Sequence, residues 1–392
     1  MTQSERFVPG ATARKAAWIL VAAGILTASI GLASTPQRTW PDLLLNGYYT
    51  IAIALGGMVF VALHYLSGAA WSATIRRVPE ALMAVMPVAA VLMLVLVFGR
   101  EWLYPATRVS PRAAESARAL YLSAPFFFGR MAVFVIVWTV FARVLRSASL
   151  RQDSDAAPQH REHLVRASAA FVVVFAVSFS LASFDWLMTL TPDWSSTIFA
   201  FYSFAGVLVG GIAAVTMCTV LLLERGYLVD AVSDDQLHDL GKLLLASSTF
   251  WAYLWFAQYL LIWYGNLPEE TTYYMRRTSQ PWIALFLLNV AVNWIVPFLV
   301  LLPRATKRSA TTLKWVAMLI LAGRWLDLYL AVMPEMLPRP DLRAADLLMV
   351  GGYAATFFLI VTRALASAPL VPLNGHGSAR TLHAVTEARR RA

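Results

Sequence analysis

The chain has 392 residues, of which 59% are hydrophobic and only 14% are charged, with a mean hydropathy of +0.62. So few polar residues cannot coat a soluble domain of this length. The net charge of +10 does not indicate a nucleic-acid partner, because the basic residues lie in short clusters at the ends of apolar runs. The single cysteine, Cys218, excludes a disulfide within the chain and a cysteine-ligated metal site. The composition therefore predicts a polytopic membrane protein.

Ten apolar runs are long enough to cross ~30 Å of hydrocarbon. The first run follows Arg14-Lys15 like a signal peptide, but its length exceeds the usual ~7–15-residue apolar core, so we interpret it as a retained helix. We predict an all-α fold with one transmembrane domain at 16–368, an N-terminal segment at 1–15 and a basic tail at 369–392. The ten runs are 16–33, 43–71, 81–98, 122–145, 165–190, 197–223, 243–264, 282–302, 313–333 and 347–365.

The distribution of basic residues predicts the orientation. The two termini, the alternate loops on their side and the adjoining helix ends carry 21 of the 32 lysines and arginines, against nine on the opposite side. Loops rich in lysine and arginine remain in the cytoplasm. Both termini are therefore expected to be cytoplasmic.

Spaced residues in two parts of the chain predict an internal duplication. Tyrosine precedes a Gly-Gly pair by eight residues in helices two and six, and aspartate precedes proline by seven at the ends of helices five and nine. Because four helices separate the equivalent elements, the two units have the same orientation in the membrane. We predict two parallel four-helix bundles, helices two to five (about 43–190) and six to nine (about 197–334), flanked by helices one and ten. The matching positions are Tyr48 and Tyr202, Gly56-Gly57 and Gly210-Gly211, Asp185 and Asp327, Pro192 and Pro334, and Pro125 and Pro281.

Four charged residues interrupt the outer halves of the predicted helices, where each ion costs at least ~2.5 kcal/mol. Arg130 and Asp185 belong to the first unit, and Arg324 and Asp327 lie three residues apart in helix nine. Each unit can thus neutralise its own charges. Two interpretations remain open: ion pairs that hold the helices in register, or part of a proton path.

A second polar set lies toward the predicted cytoplasmic ends. Along helix seven, spacings of seven and four residues keep Lys242, Thr249 and Tyr253 on one helical face. Together the set outlines a proton half-channel that leads to the outer charges. The alternative is ordinary boundary chemistry, since an aspartate at a helix start offsets the helix dipole and His and Lys are frequent at membrane boundaries. The candidates are His64, Glu80, His238, Asp239, Lys242, Thr249 and Tyr253.

The remaining motifs limit the redox chemistry. A haem with two histidine ligands needs both within the bilayer, and only His64 lies well inside an apolar run, so no haem and no metal site are expected. The aromatic run at 250–256, which includes Trp255, leads to Gln258 and Tyr259. This segment could line a quinone site in which Gln258 or Tyr259 bonds a carbonyl. An interfacial aromatic belt is the alternative interpretation.

Three long stretches resemble a known family. They are SFDWLMTLTPDWSSTIFAFYSFAG (Ser183–Gly206), HDLGKLLLASSTFWAYLWFAQYLLIWYGNLPEE (His238–Glu270) and GRWLDLYLAVMP (Gly323–Pro334). They are similar to the F subunit of bacterial alternative complex III, which belongs with the polysulfide-reductase-type membrane subunits. The resemblance covers helices two to nine.

The resemblance implies a subunit of a quinol-oxidising complex in the bacterial inner membrane that passes electrons to cytochrome c or directly to a terminal oxidase. Partner subunits would carry c-type haems and iron–sulfur clusters, and a C-type homologous membrane subunit would hold the main menaquinone or ubiquinone site. This chain would have no redox cofactor and a supporting or proton-conducting role. The resemblance would extend the proton route over His64, Asp185, His238, Lys242, Arg324 and Asp327. From the residues alone, an ion-coupled secondary transporter is the alternative, although transporters often contain inverted repeats.

Overall fold

The computed structural model describes residues 6–107, 117–154, 158–191 and 194–372, and these residues form helices and no strands. Pro192 and most of the predicted basic tail, residues 373–392, lie outside the described residues. Three short helices, Ala117–Leu122, Pro268–Thr278 and Arg304–Arg308, connect long ones. The ten long helices are α1 (Ala11–Ser34), α2 (Pro36–Leu66), α3 (Arg77–Leu103), α4 (Ala124–Ser154), α5 (Pro158–Trp186), α6 (Phe199–Glu224), α7 (Asp234–Gly265), α8 (Ile283–Leu301), α9 (Ala310–Met336) and α10 (Ala344–Ala366).

Nine of these helices, within the described ranges, are long and apolar enough to cross a membrane. The predicted class, an all-α multi-pass membrane protein, is confirmed. Helix α7 has 32 residues and is long enough, but its first two turns are polar and its apolar part contains Gln258 and several Trp and Tyr residues. These residues keep the most apolar stretch of α7 less hydrophobic than the corresponding stretches of the other nine helices.

The ends of α7 follow from its sequence. Ser233 and Gln236 form a capping box, and Asp234 and Asp235 occupy the first turn, where the helix dipole favours negative charge. At the other end Asn266 adopts a left-handed conformation and stops the helix. Helix Pro268–Thr278 then begins with a proline in its first turn, so the chain reverses within a few residues.

We refer to α2–α5 and α6–α9 as the two groups of four helices. Helix α2 contacts α3 and α5, and α4 contacts the same two helices; α6 contacts α7 and α9, and α8 likewise contacts both. The groups meet where α2 contacts α6 and α9 and where α5 contacts α6. Helix α1 packs mainly along α10 at the edge, where only 11% of its apolar window is buried, against 72% for α2 and α6. The core therefore lies along α2, α6 and α9.

Two sets of ion pairs define the ends of the bundle. Near the start of α2, Arg38 donates to Asp346 of α10 over 2.5 Å. At the other end of the bundle Arg308 contacts Asp235 over 2.6 Å and Lys314 contacts Glu224 over 2.5 Å. Helix α1 begins at this second end, which we call the N-terminal face; the other is the opposite face.

The closest helix crossing in the core joins α2 and α6 at two glycines. A Cβ atom built on Gly56 would lie 2.5 Å from the Cα of Gly211, and one on Gly211 would lie equally close to the Cα of Gly56. Small residues permit such close backbone approach between membrane helices, where dispersion contacts replace the hydrophobic effect. The two glycines therefore set the distance between the groups.

Replacing Gly56 with alanine is expected to destabilise the protein by about 1–3 kcal/mol, because backbone atoms of α6 occupy the space that the methyl group needs. Thermal unfolding in mild detergent measures the effect. Gly129→Ala is the matched control, since no atom lies within 4 Å of its built Cβ. Equal stability of the Gly56→Ala variant and the control would contradict the close crossing.

Candidate functional site

Helix α9 carries a buried ion pair at its centre. The Nη2 atom of Arg324 lies 2.7 Å from Oδ2 of Asp327, and both residues are at most 5% exposed. The second carboxylate oxygen accepts hydrogen bonds from the Asn289 side-chain amide, over 2.7 Å, and from the Tyr202 hydroxyl. The carboxylate thus has three donors from three helices. Such a set of donors offsets the cost of removing the carboxylate from water.

Two glycines leave room for this cluster. A Cβ on Gly206 would lie 2.2 Å from Arg324 Nη2, and a Cβ on Gly323 would lie 2.9 Å from the Asn293 amide. The guanidinium carbon of Arg324 also lies 5.2 Å from the ring centroid of Trp251, within the range of cation–π attraction. The position of Arg324 therefore depends on the glycine at position 206 of α6, where no side chain fills the space.

Helix α8 contributes two amides that the sequence interpretation missed. Its residues Ala291–Ile295 form a π-helical turn, a distortion that is frequent at functional sites. The Nδ2 atom of Asn293 donates to Oδ1 of Asn289 over 2.7 Å, and the Nδ2 atom of Asn289 donates to Asp327. The available signal was a pair of amides four residues apart in an otherwise apolar run.

Small cavities lie on two sides of Asp327 and Tyr202. One of about 20 Å³ lies between α2, α6 and α9 beside Tyr48 and Arg324, and another of about 20 Å³ lies toward α7 and α8. Each exceeds the ~10–15 Å³ that one water needs. The Tyr48 hydroxyl and Nη1 of Arg324 are buried and have no hydrogen-bond partner among the described residues. A water in the first cavity would satisfy both groups. Tyr48 and Tyr202, noted from the sequence only as repeat markers, thus belong to the site.

Gln258 connects the second cavity to a wider cleft. Its side chain is 2% exposed and lines both the small cavity and a cleft of about 400 Å³ between the end of α5, the start of α6 and α7. Glu270, in the short helix on the opposite face, also lines this cleft. Polar side chains therefore extend from the opposite face through Gln258 to Asp327.

The predicted quinone residues do not form a single pocket. Trp255 and Tyr259 stack almost in parallel, with centroids 6.2 Å apart. Trp255 and Gln258 line the cavity of about 20 Å³, which is too small for a quinone ring, and Gln258 also lines the cleft of about 400 Å³. Gln258 therefore faces a volume that could hold a ring.

The other predicted ion pair is also present. Nε of Arg130 lies 2.9 Å from Oδ2 of Asp185, and the Tyr121 hydroxyl donates to Oδ1 over 2.9 Å. Burial, together with the nearby Asp185 charge, raises the pKa of Tyr121 to about 12, so this phenol remains a donor. The cation partner of Asp185 comes from α4, whereas the cation partner of Asp327 lies on the same helix.

The predicted hydroxyl line along α7 does not lead to these charges. Tyr253 is 65% exposed on the outside of the bundle, and Lys242 is exposed and pairs with Asp239 over 2.6 Å. The Thr249 hydroxyl donates to the carbonyl oxygen of Leu245. The spacing placed the three residues on one face, as expected, but packing buries another face of α7. The buried face contains Ser247, Ser248, Trp251 and Gln258.

The other predicted candidates lie near the N-terminal face and do not contact Asp327. The buried carboxylate of Glu80 contacts Arg77 and the Ser149 hydroxyl, and Arg77 also contacts Asp153. The Nδ1 atom of His64 lies 2.6 Å from the Phe60 carbonyl oxygen, and the imidazole stacks on the Phe60 ring. His238 is half-buried near the start of α7, one helical turn before Lys242.

The fold and this network define a multi-pass helical membrane protein with a paired, hydrogen-bonded carboxylate in its core. Comparison of the sequence with protein-family models and with curated proteins gives no match in either case.

Removing the carboxylate alone is expected to destabilise the protein more than removing both ions. Asp327→Leu leaves Arg324 buried without its partner, a loss of about 3–5 kcal/mol. The double variant Arg324→Leu with Asp327→Leu removes the unpaired ion and should recover much of that loss. Thermal unfolding of the two variants in the same detergent tests this order. A double variant less stable than the single one would contradict the assignment of the pair as mutually neutralising.

Proposed function

We propose that this protein is the F-type membrane subunit of an alternative complex III, a quinol-oxidising respiratory complex, and that it conducts protons through Asp327. The assignment to this complex is supported by the three stretches that resemble the family, and these stretches contain Asp185, Gln258 and Asp327. The observation that carries the proton role is the buried Asp327 carboxylate with water-sized cavities on two sides. An ion pair that served only as a register lock would need no such space.

The proposed route enters from the opposite face. A proton passes from the cleft beside Glu270, past Gln258, to the cavity that contacts Asp327. Protonation of Asp327 breaks its charge interaction with Arg324, and the hydroxyl of Tyr202 lies between the two cavities as a donor and acceptor. Release toward Tyr48 returns the carboxylate to its ionised state. Carboxylates within membrane helices that pair with another ionisable group often belong to proton relays.

The membrane arrangement follows from the same proposal. Helix α7 is the tenth span, because its 32 residues lie between two neighbours in the second group of four. The parallel duplication is supported by the matching contacts of the two groups and by the Gly56–Gly211 crossing, which joins corresponding parts of α2 and α6. Both termini lie in the cytoplasm of a bacterial cell, as the excess of basic residues on that side predicts.

The partners supply the redox chemistry in this proposal. Iron–sulfur and c-type haem subunits carry the electrons, and a C-type membrane subunit oxidises menaquinol or ubiquinol. This chain moves protons and contains no redox group of its own. The energy for proton movement would then come from conformational or electrostatic coupling to quinol oxidation next to it.

Asp327→Asn is expected to lower the number of protons translocated per electron by about half or more, because an amide cannot accept and release a proton at this position. The measurement uses the intact complex in sealed vesicles with quinol as reductant. Gln258→Leu should also lower the ratio by closing the entry. Tyr253→Phe, on the outside of α7, is the control and should leave it unchanged. An unchanged ratio with Asp327→Asn would refute proton conduction at this site.

The complex assignment predicts stable association with redox subunits. An affinity-tagged chain, extracted in mild detergent from its native membrane, should retain subunits with the absorption spectrum of c-type haem and with iron–sulfur signals. The measurement is spectroscopy and mass spectrometry of the purified assembly. A chain that purifies alone in a stable form, or that takes up a substrate by itself, would favour the transporter alternative.

A further inference from the structure

A basic pocket lies at the N-terminal face, away from Asp327. Helix α2 ends at Leu66, the chain turns at Gly68 with φ of +64°, and a 3-10 helix at Ala70–Ile75 leads into α3. A pocket of about 40 Å³ lies in this corner, and none of its described lining residues is acidic. Its polar lining residues are His64, Tyr65, Ser72, Arg76 and Arg161.

Arg76 is the central group of the pocket. It is 8% exposed, and its Nε and Nη2 atoms make no hydrogen bond among the described residues. Its Nε lies 3.4 Å from Oε1 of Glu80, but the oxygens of Glu80 already accept from Arg77 and Ser149. Arg77 forms ion pairs with two carboxylates, so the acidic groups nearby are mainly paired with Arg77. Arg76 therefore retains buried donors that require an acceptor.

The other lining groups complete a donor set. The Tyr65 hydroxyl is buried without a hydrogen-bond partner, and its ring centroid lies 5.5 Å from the guanidinium carbon of Arg76. Arg161 of α5 is exposed and lines the same pocket, which adds a second cation. Two cations and an unsatisfied hydroxyl favour a ligand with several negatively charged oxygens.

The depth of the pocket indicates the source of that ligand. His64 and Tyr65 belong to the last turn of α2, where a membrane helix reaches the head-group layer. Leu63 and Leu66, in the same turn, are 42% and 41% exposed on the surface of the bundle. Acyl chains can cover these leucines while a phosphate enters the pocket. We propose that the pocket binds the phosphate group of an anionic phospholipid.

Lipid retention tests the site directly. The full-length protein, purified in mild detergent with any partners that it retains, is incubated with equal amounts of phosphatidylglycerol and phosphatidylcholine and analysed by native mass spectrometry. The wild-type protein should retain phosphatidylglycerol preferentially. Arg76→Gln should reduce this preference by about tenfold, since it removes charge-assisted bonds to the phosphate. Arg161→Gln should reduce it less, because that residue is exposed.

Arg166→Gln is the matched control, since Arg166 lies on the same helix as Arg161 but is absent from the pocket and pairs with Glu162. An unchanged preference in Arg76→Gln would overturn the proposal.

A second measurement does not depend on folding of the variants. Short-chain phosphatidylglycerol should raise the unfolding temperature of the wild-type protein more than the corresponding phosphatidylcholine. The absence of this difference would count against the site. Equal stabilisation by inorganic phosphate would assign the pocket to a free anion and overturn the lipid assignment.

Discussion

The cost of placing an ion in hydrocarbon organises the core of this protein. Asp327 is tolerated because α6, α8 and α9 each supply a donor to its carboxylate, and these helices must therefore hold a fixed relative position. The need for a fixed arrangement also extends to residues without polar side chains. Gly206 and Gly323 leave the space that Arg324 and Asn293 occupy, and a larger side chain at either position would displace the network.

A second physical effect determines how the two groups of helices meet. Membrane helices gain little from the hydrophobic effect when they associate, so close backbone contact must supply the attraction. Gly56 and Gly211 provide that contact between α2 and α6. The first water-sized cavity, lined by Tyr48 and Tyr202, lies between the same two helices and α9. The junction of the two groups is thus both the closest crossing and the site of the buried ions.

The buried arginines of this protein differ in how completely their charge is compensated. Arg77 contacts two carboxylates, and Arg324 contacts one carboxylate and an aromatic ring. These arrangements suit groups surrounded by protein. Arg76, directly before α3, makes one long ion pair with Glu80, and its Nη2 atom has no hydrogen-bond partner among the described residues, so a lipid phosphate can supply the acceptor.

The sequence alone determined the class of the protein, the positions of its apolar runs and the pairing of Arg130 with Asp185 and Arg324 with Asp327. Run length and the cost of isolated charge are local properties, so they can be derived from spacing. Only the tertiary structure decided which face of α7 is buried, and it placed Gln258 rather than Tyr253 toward the core. It also brought Asn289 and Tyr202 to Asp327. Helical periodicity tells which residues share a face, but the neighbouring helices decide where that face points.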